Sequence, residues 1–138
     1  MVGKKYVFLM ITPDGVSRGL VGTCLQRFER RGFRVEALKA VTLTGMQVKQ
    51  LYAKVTNEKF FTDLSMFMQS GPCVAMLLTH EHLEDPITEA RYMIGAVYPR
   101  QPGSIRADFA ESERRNVIHV TDDPLRVLKE AALIMGAP

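Results

Sequence analysis

The chain has 138 residues, 46% hydrophobic and 24% charged, with a formal net charge of +3. That length suits one domain, residues 1–138, able to bury roughly two thirds of the surface its unfolded form exposes. The composition excludes a disordered chain, and no stretch approaches the roughly 20 apolar residues a membrane-spanning helix needs.

A charge this small leaves nucleotides, nucleic acids and uncharged partners all open. The start, Met1-Val2-Gly3-Lys4-Lys5 followed by the short apolar run 6–11, is too brief for a signal-peptide core and its cleavage site. A cytoplasmic protein is therefore expected. Cys24 and Cys73 fall in an amphipathic helical segment and an apolar strand-like segment, positions typical of reduced, buried thiols.

Tyr6-Val7-Phe8-Leu9-Met10-Ile11 reads as a buried strand that leaves through a turn at Thr12-Pro13-Asp14-Gly15. Leu20, Val21, Cys24, Leu25 and Phe28 then recur at helical spacing, and Gly32 suits the stop. Residues 33–43 alternate as a second strand. Thr44-Gly45 opens a helix through Val48 and Leu51, and Phe60-Phe61 begins another, closed by Ser70-Gly71-Pro72. The almost wholly apolar run 73–78 predicts a strand covered on both faces or set at a dimer contact.

A helix around residues 86–94 precedes a long loop over 97–115, a length that usually marks function. A short strand over 117–120 follows, and Asp123-Pro124 caps a final helix whose apolar face is Leu125, Leu128, Ala132 and Ile134. The order β-α-β-α-α-β-α-β-α contains a ferredoxin-like β-α-β-β-α-β core with helical insertions, an α+β fold with an antiparallel sheet and a long active-site loop. His80 and His82 could approach one metal from a strand face, but they lack further ligands.

Several separated blocks resemble the nucleoside diphosphate kinase family, in its order and approximate spacing, from Tyr6 to about Glu130. They are Pro13-Asp14-Gly15-Val16-Ser17-Arg18-Gly19-Leu20-Val21-Gly22, Arg27-Phe28-Glu29 with Gly32-Phe33, and Tyr52 with Phe60-Phe61. Ser70-Gly71-Pro72 with Val74-Ala75-Met76 follows, then Gly103-Ser104-Ile105-Arg106-Ala107-Asp108-Phe109 leading to Arg115-Asn116-Val117-Ile118-His119.

The resemblance implies that His119 accepts the γ-phosphate of a nucleoside triphosphate and hands it to a nucleoside diphosphate; a neutral imidazole is a competent nucleophile near neutral pH. It implies that Glu130 orients His119, that Thr121, in place of the usual serine, supports Glu130, and that Tyr52 lines the phosphate end of the cleft. Arg91 and Arg106 would hold phosphates, a task suited to forked guanidinium groups. Asn116 would bond the ribose and Phe60 would stack on the base. A hydrogen-bonded, partly buried histidine is the competing reading of His119, and a core role that of Phe60.

Magnesium would come with ATP, held by the nucleotide's phosphates and not by protein ligands. The expected partners are nucleoside di- and triphosphates and further copies of this chain, in a homo-oligomer built from dimers; neither membrane nor nucleic acid is expected.

Departures from the family pattern fall near the same phosphate site. Thr12 stands where the family has a lysine, Val97 near the place of a phosphate-bonding threonine, and Val120 in place of the glycine after the histidine. The loop between Pro99 and Pro102 is shorter than usual. Arg100, inside it, is a candidate replacement cation. A catalytically impaired nucleotide-binding or regulatory module of the same fold is the alternative to a kinase slowed by the loss of the lysine.

Overall fold

The computed structural model describes residues 4–136; Met1, Val2 and Gly3 of the charged start, with Ala137 and Pro138, lie outside them. Strands β1 (Tyr6–Ile11), β2 (Phe33–Val41), β3 (Cys73–His80) and β4 (Ile118–Val120) form one antiparallel sheet in the order β2-β3-β1-β4. Among the described residues seven α-helices accompany it: α1 (Pro13–Ser17), α2 (Val21–Arg30), α3 (Gly45–Leu51), α4 (Phe61–Met68), α5 (Pro86–Ile94), α6 (Ile105–Phe109) and α7 (Val127–Met135). The plan is the expected ferredoxin-like one, with α3 and α4 inserted between β2 and β3.

Residues 7–11 of β1 are all buried, so both faces of the central sheet are covered, which explains an apolar run without alternation. Helix α2 turns Cys24 and Phe28 inward and its arginines outward. At Gly32 (φ +89°) a β-carbon would lie 2.8 Å from His80 Nε2, so glycine is needed both for the backbone and for the room. His80 itself is fully engaged: Nε2 bonds the Arg31 carbonyl at 2.8 Å, and Nδ1 accepts from the amides of His82 and Leu83. Its role is to tie β3 to the end of α2. Thr44 and Gln47 close a reciprocal capping box at the start of α3. Both cysteines are free and buried, and burial pushes the Cys24 thiol up to about 11.

The structure corrects several expectations. Thr12 to Gly15 is not a turn: Pro13 starts α1, its fixed φ being suited to a first helical turn. The second strand ends at Val41, and most of it is exposed, because β2 is an edge strand with a bulge between Val35 and Ala37. The 97–115 loop contains α6, whose five residues are too few to show helical periodicity; Ser104 caps it by accepting from the Ala107 amide. The final helix is preceded by a 3-10 turn, Pro124–Arg126, that resets the phase of the chain. Consequently Leu125 and Leu128 are 91% and 57% exposed, while Val127, Glu130, Ala131 and Ile134 face inward.

Candidate active site

His119 stands in β4 opposite Met10 of β1, and its side chain is 18% exposed. Its Nε2 lies 3.4 Å from Glu130 Oε1, which also accepts a hydrogen bond from Thr121 Oγ1 at 2.7 Å. Glu130 reaches this place because the phase of α7 turns position 130 inward with the apolar residues. Its second oxygen, Oε2, is 3.1 Å from Arg126 Nη2.

Burial alone would push the Glu130 carboxyl up. The hydrogen bonds from His119 and Thr121, with the positive charge of Arg126, outweigh that and hold it below its ordinary value of 4.5. With Nε2 turned to this carboxylate, Nδ1 is the ring nitrogen left for chemistry.

Tyr52, at the end of α3, sets its ring edge-on to His119, 5.7 Å between centroids. Burial raises its phenol well above the ordinary value of 10.0, so it stays protonated. The expected group of His119, Glu130, Thr121 and Tyr52 is thus brought together in space from segments distant in sequence.

Arg106 of α6 donates Nη2 to the Ile118 carbonyl at 2.6 Å, Nη1 to Gly95 at 3.2 Å and Nε to Asn116 at 3.4 Å. These bonds aim a rigid fork beside β4 while leaving N–H donors over, since the guanidinium carries five. Arg91 and Arg106 line one open hollow of about 470 Å³ together with Thr88, Gly95 and Val120. His119 is not among the residues lining this hollow, where the two arginines together can receive a phosphate group. Val97 is buried and is not among the residues around that hollow.

Phe60 is 44% exposed at the start of α4, whereas Phe61 beside it packs against the core. Across from Phe60, Arg114 Nη2 reaches its carbonyl at 3.4 Å, and Asn116 Nδ2 donates to the Glu113 carbonyl at 2.8 Å. The segment before β4 therefore faces the start of α4. An exposed aromatic in this position suits a flat ligand better than a core.

A clamp just ahead of His119 was not legible in the sequence. Thr12 and Asp14 are each 2% exposed, and the Thr12 hydroxyl donates to Asp14 Oδ1 at 2.5 Å. Asp14 Oδ2 accepts the Val117 amide at 3.0 Å, and the Val117 carbonyl accepts the Thr12 amide at 2.9 Å.

These bonds hold Val117 at φ 79°, in a three-residue turn closed by the Ile118 amide on the Asn116 carbonyl at 2.9 Å. A β-branched residue there stores on the order of 1–3 kcal/mol of strain. Gly15 completes the clamp, since a β-carbon would come within 2.9 Å of the Val117 carbonyl oxygen. Val120, in place of the family's glycine, is ordinary strand, paired with Leu9; the strained residue is Val117.

The Thr12 hydroxyl is committed to Asp14 and does not stand in for the family's lysine. Arg100 is committed too: it donates to the carbonyls of Arg106 and Ala107 at 3.2 Å and of Ala110 at 3.0 Å, closing the end of α6. Among the described residues there is no group of three or more His, Cys, Asp or Glu side chains that could hold a metal ion.

Comparison with known proteins agrees with this geometry. Residues 5–137 match the family model described as nucleoside diphosphate kinase. A nucleoside diphosphate kinase of Thermus thermophilus is 47% identical over 116 residues, 81% of each chain. One of Staphylothermus marinus is 39% identical over 135 residues, covering 96% of this chain and 94% of that protein. The nucleoside diphosphate kinase of Halobacterium salinarum, solved in complex with CDP, superposes with a TM-score of 0.88 at 31% identity, over 95% of this chain and 87% of that one. A family match across nearly the whole chain, with these relatives and the shared fold, has one meaning: the chain belongs to the nucleoside diphosphate kinase family.

Proposed function

We propose that the protein, as a single domain over residues 1–138, transfers the γ-phosphoryl group of a nucleoside triphosphate to a nucleoside diphosphate through a phosphohistidine at His119. The observation that carries this reading is His119 itself, with Nε2 held by Glu130 and the Arg106 fork tied to the Asn116 and Ile118 carbonyls just ahead of it. The Nδ1 lone pair attacks the γ-phosphorus, the bond to the β,γ-bridging oxygen breaks, and the diphosphate leaves with that electron pair. In the second half a terminal oxygen of the acceptor diphosphate attacks the phosphorus, and the P–N bond electrons return to Nδ1.

Throughout, Nε2–H points to the Glu130 carboxylate, which balances the positive charge that develops on the ring. Arg91 and Arg106 bind phosphate oxygens, Asn116 the ribose, and Phe60 the base, with little choice among bases because each has a π face. The CDP bound to the Halobacterium salinarum relative supports a nucleoside diphosphate as the ligand here.

Magnesium arrives on the nucleotide. The side chains around the hollow include two arginines, which fit phosphate oxygens and not a metal, so the ion belongs to the substrate and shields its charge.

Thr12 makes this a slow kinase. One missing donor at a phosphoryl-transfer site lowers the rate by about 10² to 10³. Enzymes commonly accelerate by at least about 10⁶, so transfer survives the loss. A homo-oligomer built from dimers is part of the same reading, supported by the open edge of β2, where Val35 and Leu38 are 37% and 48% exposed. A cytoplasmic location fits the described residues, none of whose helices is long and apolar enough to cross a membrane.

The test is intact-mass analysis after incubation with Mg-ATP, for wild type and His119→Ala, followed by GDP. A phosphate on wild type only, discharged by GDP as GTP forms, is the expected result. No phosphate on folded, ATP-binding protein would select the second reading, a nucleotide-binding module without catalysis, which the commitment of the Thr12 hydroxyl to Asp14 favours.

A further inference from the structure

Glu130 is the group on which the chemistry of His119 turns, and its surroundings hold one charged partner that the mechanism above does not use. Two of its three side-chain contacts, with His119 Nε2 and Thr121 Oγ1, fall on the same oxygen, Oε1. Contacts at a single oxygen leave the carboxylate free to swing about its last bond. The contact that removes this freedom is at Oε2, where Arg126 Nη2 sits at 3.1 Å.

Arg126 occupies the 3-10 turn before α7, four residues ahead of Glu130, so the same phase reset that turns Glu130 inward brings the guanidinium beneath it. The pair is not a solvated surface bridge. The Glu130 side chain is 6% exposed and that of Arg126 30%, so the guanidinium covers Oε2 from the solvent side.

We propose that Arg126 is a positioning residue for phosphoryl transfer: by holding Oε2 it fixes the plane of the Glu130 carboxylate against His119. The proposal rests on the reading of His119 as nucleophile. The charged and titratable groups around Glu130 come from several elements. His119 of β4 and Tyr52 at the end of α3 lie on the cleft side, with Arg106 of α6 facing Tyr52. Lys54 and Lys129 share with Arg126 and Glu130 a cavity of about 560 Å³.

A carboxylate held at both oxygens keeps Oε1 aimed at Nε2–H, so the ring presents Nδ1 at a fixed angle. The carboxylate shared with Arg126 still accepts Nε2–H once the ring carries phosphate.

The test uses the full chain as wild type, Arg126→Gln and Arg126→Lys, with two readouts. The first is the ¹³C NMR titration of the Glu130 carboxyl in nucleotide-free protein, which is independent of catalysis. Its midpoint is expected to rise by about half to one pH unit in Arg126→Gln and to return most of the way in Arg126→Lys. The second is the rate of phosphohistidine formation against pH. In Arg126→Gln its acid-side fall moves upward by about half a unit and its plateau drops about tenfold, with partial rescue by lysine.

Thermal melting identifies a variant that has merely lost structure, and the charge-retaining lysine variant then carries the comparison. An unchanged Glu130 titration and an unchanged pH profile in a folded Arg126→Gln protein would overturn the role of Arg126. A wild type that takes no phosphate would overturn the reading of His119 instead, so the two failures are separable.

Discussion

Thr12→Val tests whether the residue in the lysine's place has become part of the framework. The substitution exchanges one hydroxyl for one methyl at a position 2% exposed, so volume is nearly kept while the 2.5 Å bond to Asp14 Oδ1 is lost. Asp14 is as deeply buried as Thr12, and water cannot readily replace the donor.

A hydrogen bond to a charged buried group is worth about 1.5–3 kcal/mol, so a loss near 2 kcal/mol is expected. For a chain of this size that lowers the melting temperature by about 5–8 °C. The loss also loosens the grip of Asp14 on the Val117 amide, so the strained turn before His119 opens more easily. Thr12→Ser keeps the hydroxyl and removes one buried methyl, at a cost of about 1 kcal/mol. Urea melts of the three proteins at neutral pH give the order wild type, serine, valine. A valine variant as stable as the serine variant, or more so, would refute the clamp.

Thr12→Lys addresses the rate. If the missing cation limits transfer, an ammonium at position 12 raises the rate of phosphohistidine formation by about 10- to 100-fold, read by quenched-flow mass analysis; an unchanged rate would show that the limit lies elsewhere. Glu130 governs part of the acid stability. Its folded-state value lies below 4.5, so its contribution is complete above that pH and is lost as pH falls through the folded value. Glu130→Gln is therefore less stable than wild type at neutral pH and loses less on acidification below 4.5, a comparison of urea midpoints at several pH values.

The apolar run of β1, the helical spacing of α2 and the capping residues Thr44 and Asp123 are local signals, each set by neighbours within a turn or a pleat, and they determined the element order from the sequence alone. The blocks around Asp14, Arg106 and His119 likewise carried the family resemblance without any knowledge of contacts.

What the tertiary structure decided is where side chains point after the chain has folded back on itself. Glu130 pairs with His119 through an inward phase that the 3-10 turn Pro124–Arg126 creates, and the apolar Leu125 and Leu128, which pattern alone would bury, are left outside. The bond from Asp14 to the Val117 amide spans more than a hundred residues of sequence, and it holds a valine at a φ that its own side chain disfavours. Such strain persists only because long-range partners over-determine it, and no local pattern reveals partners that distant.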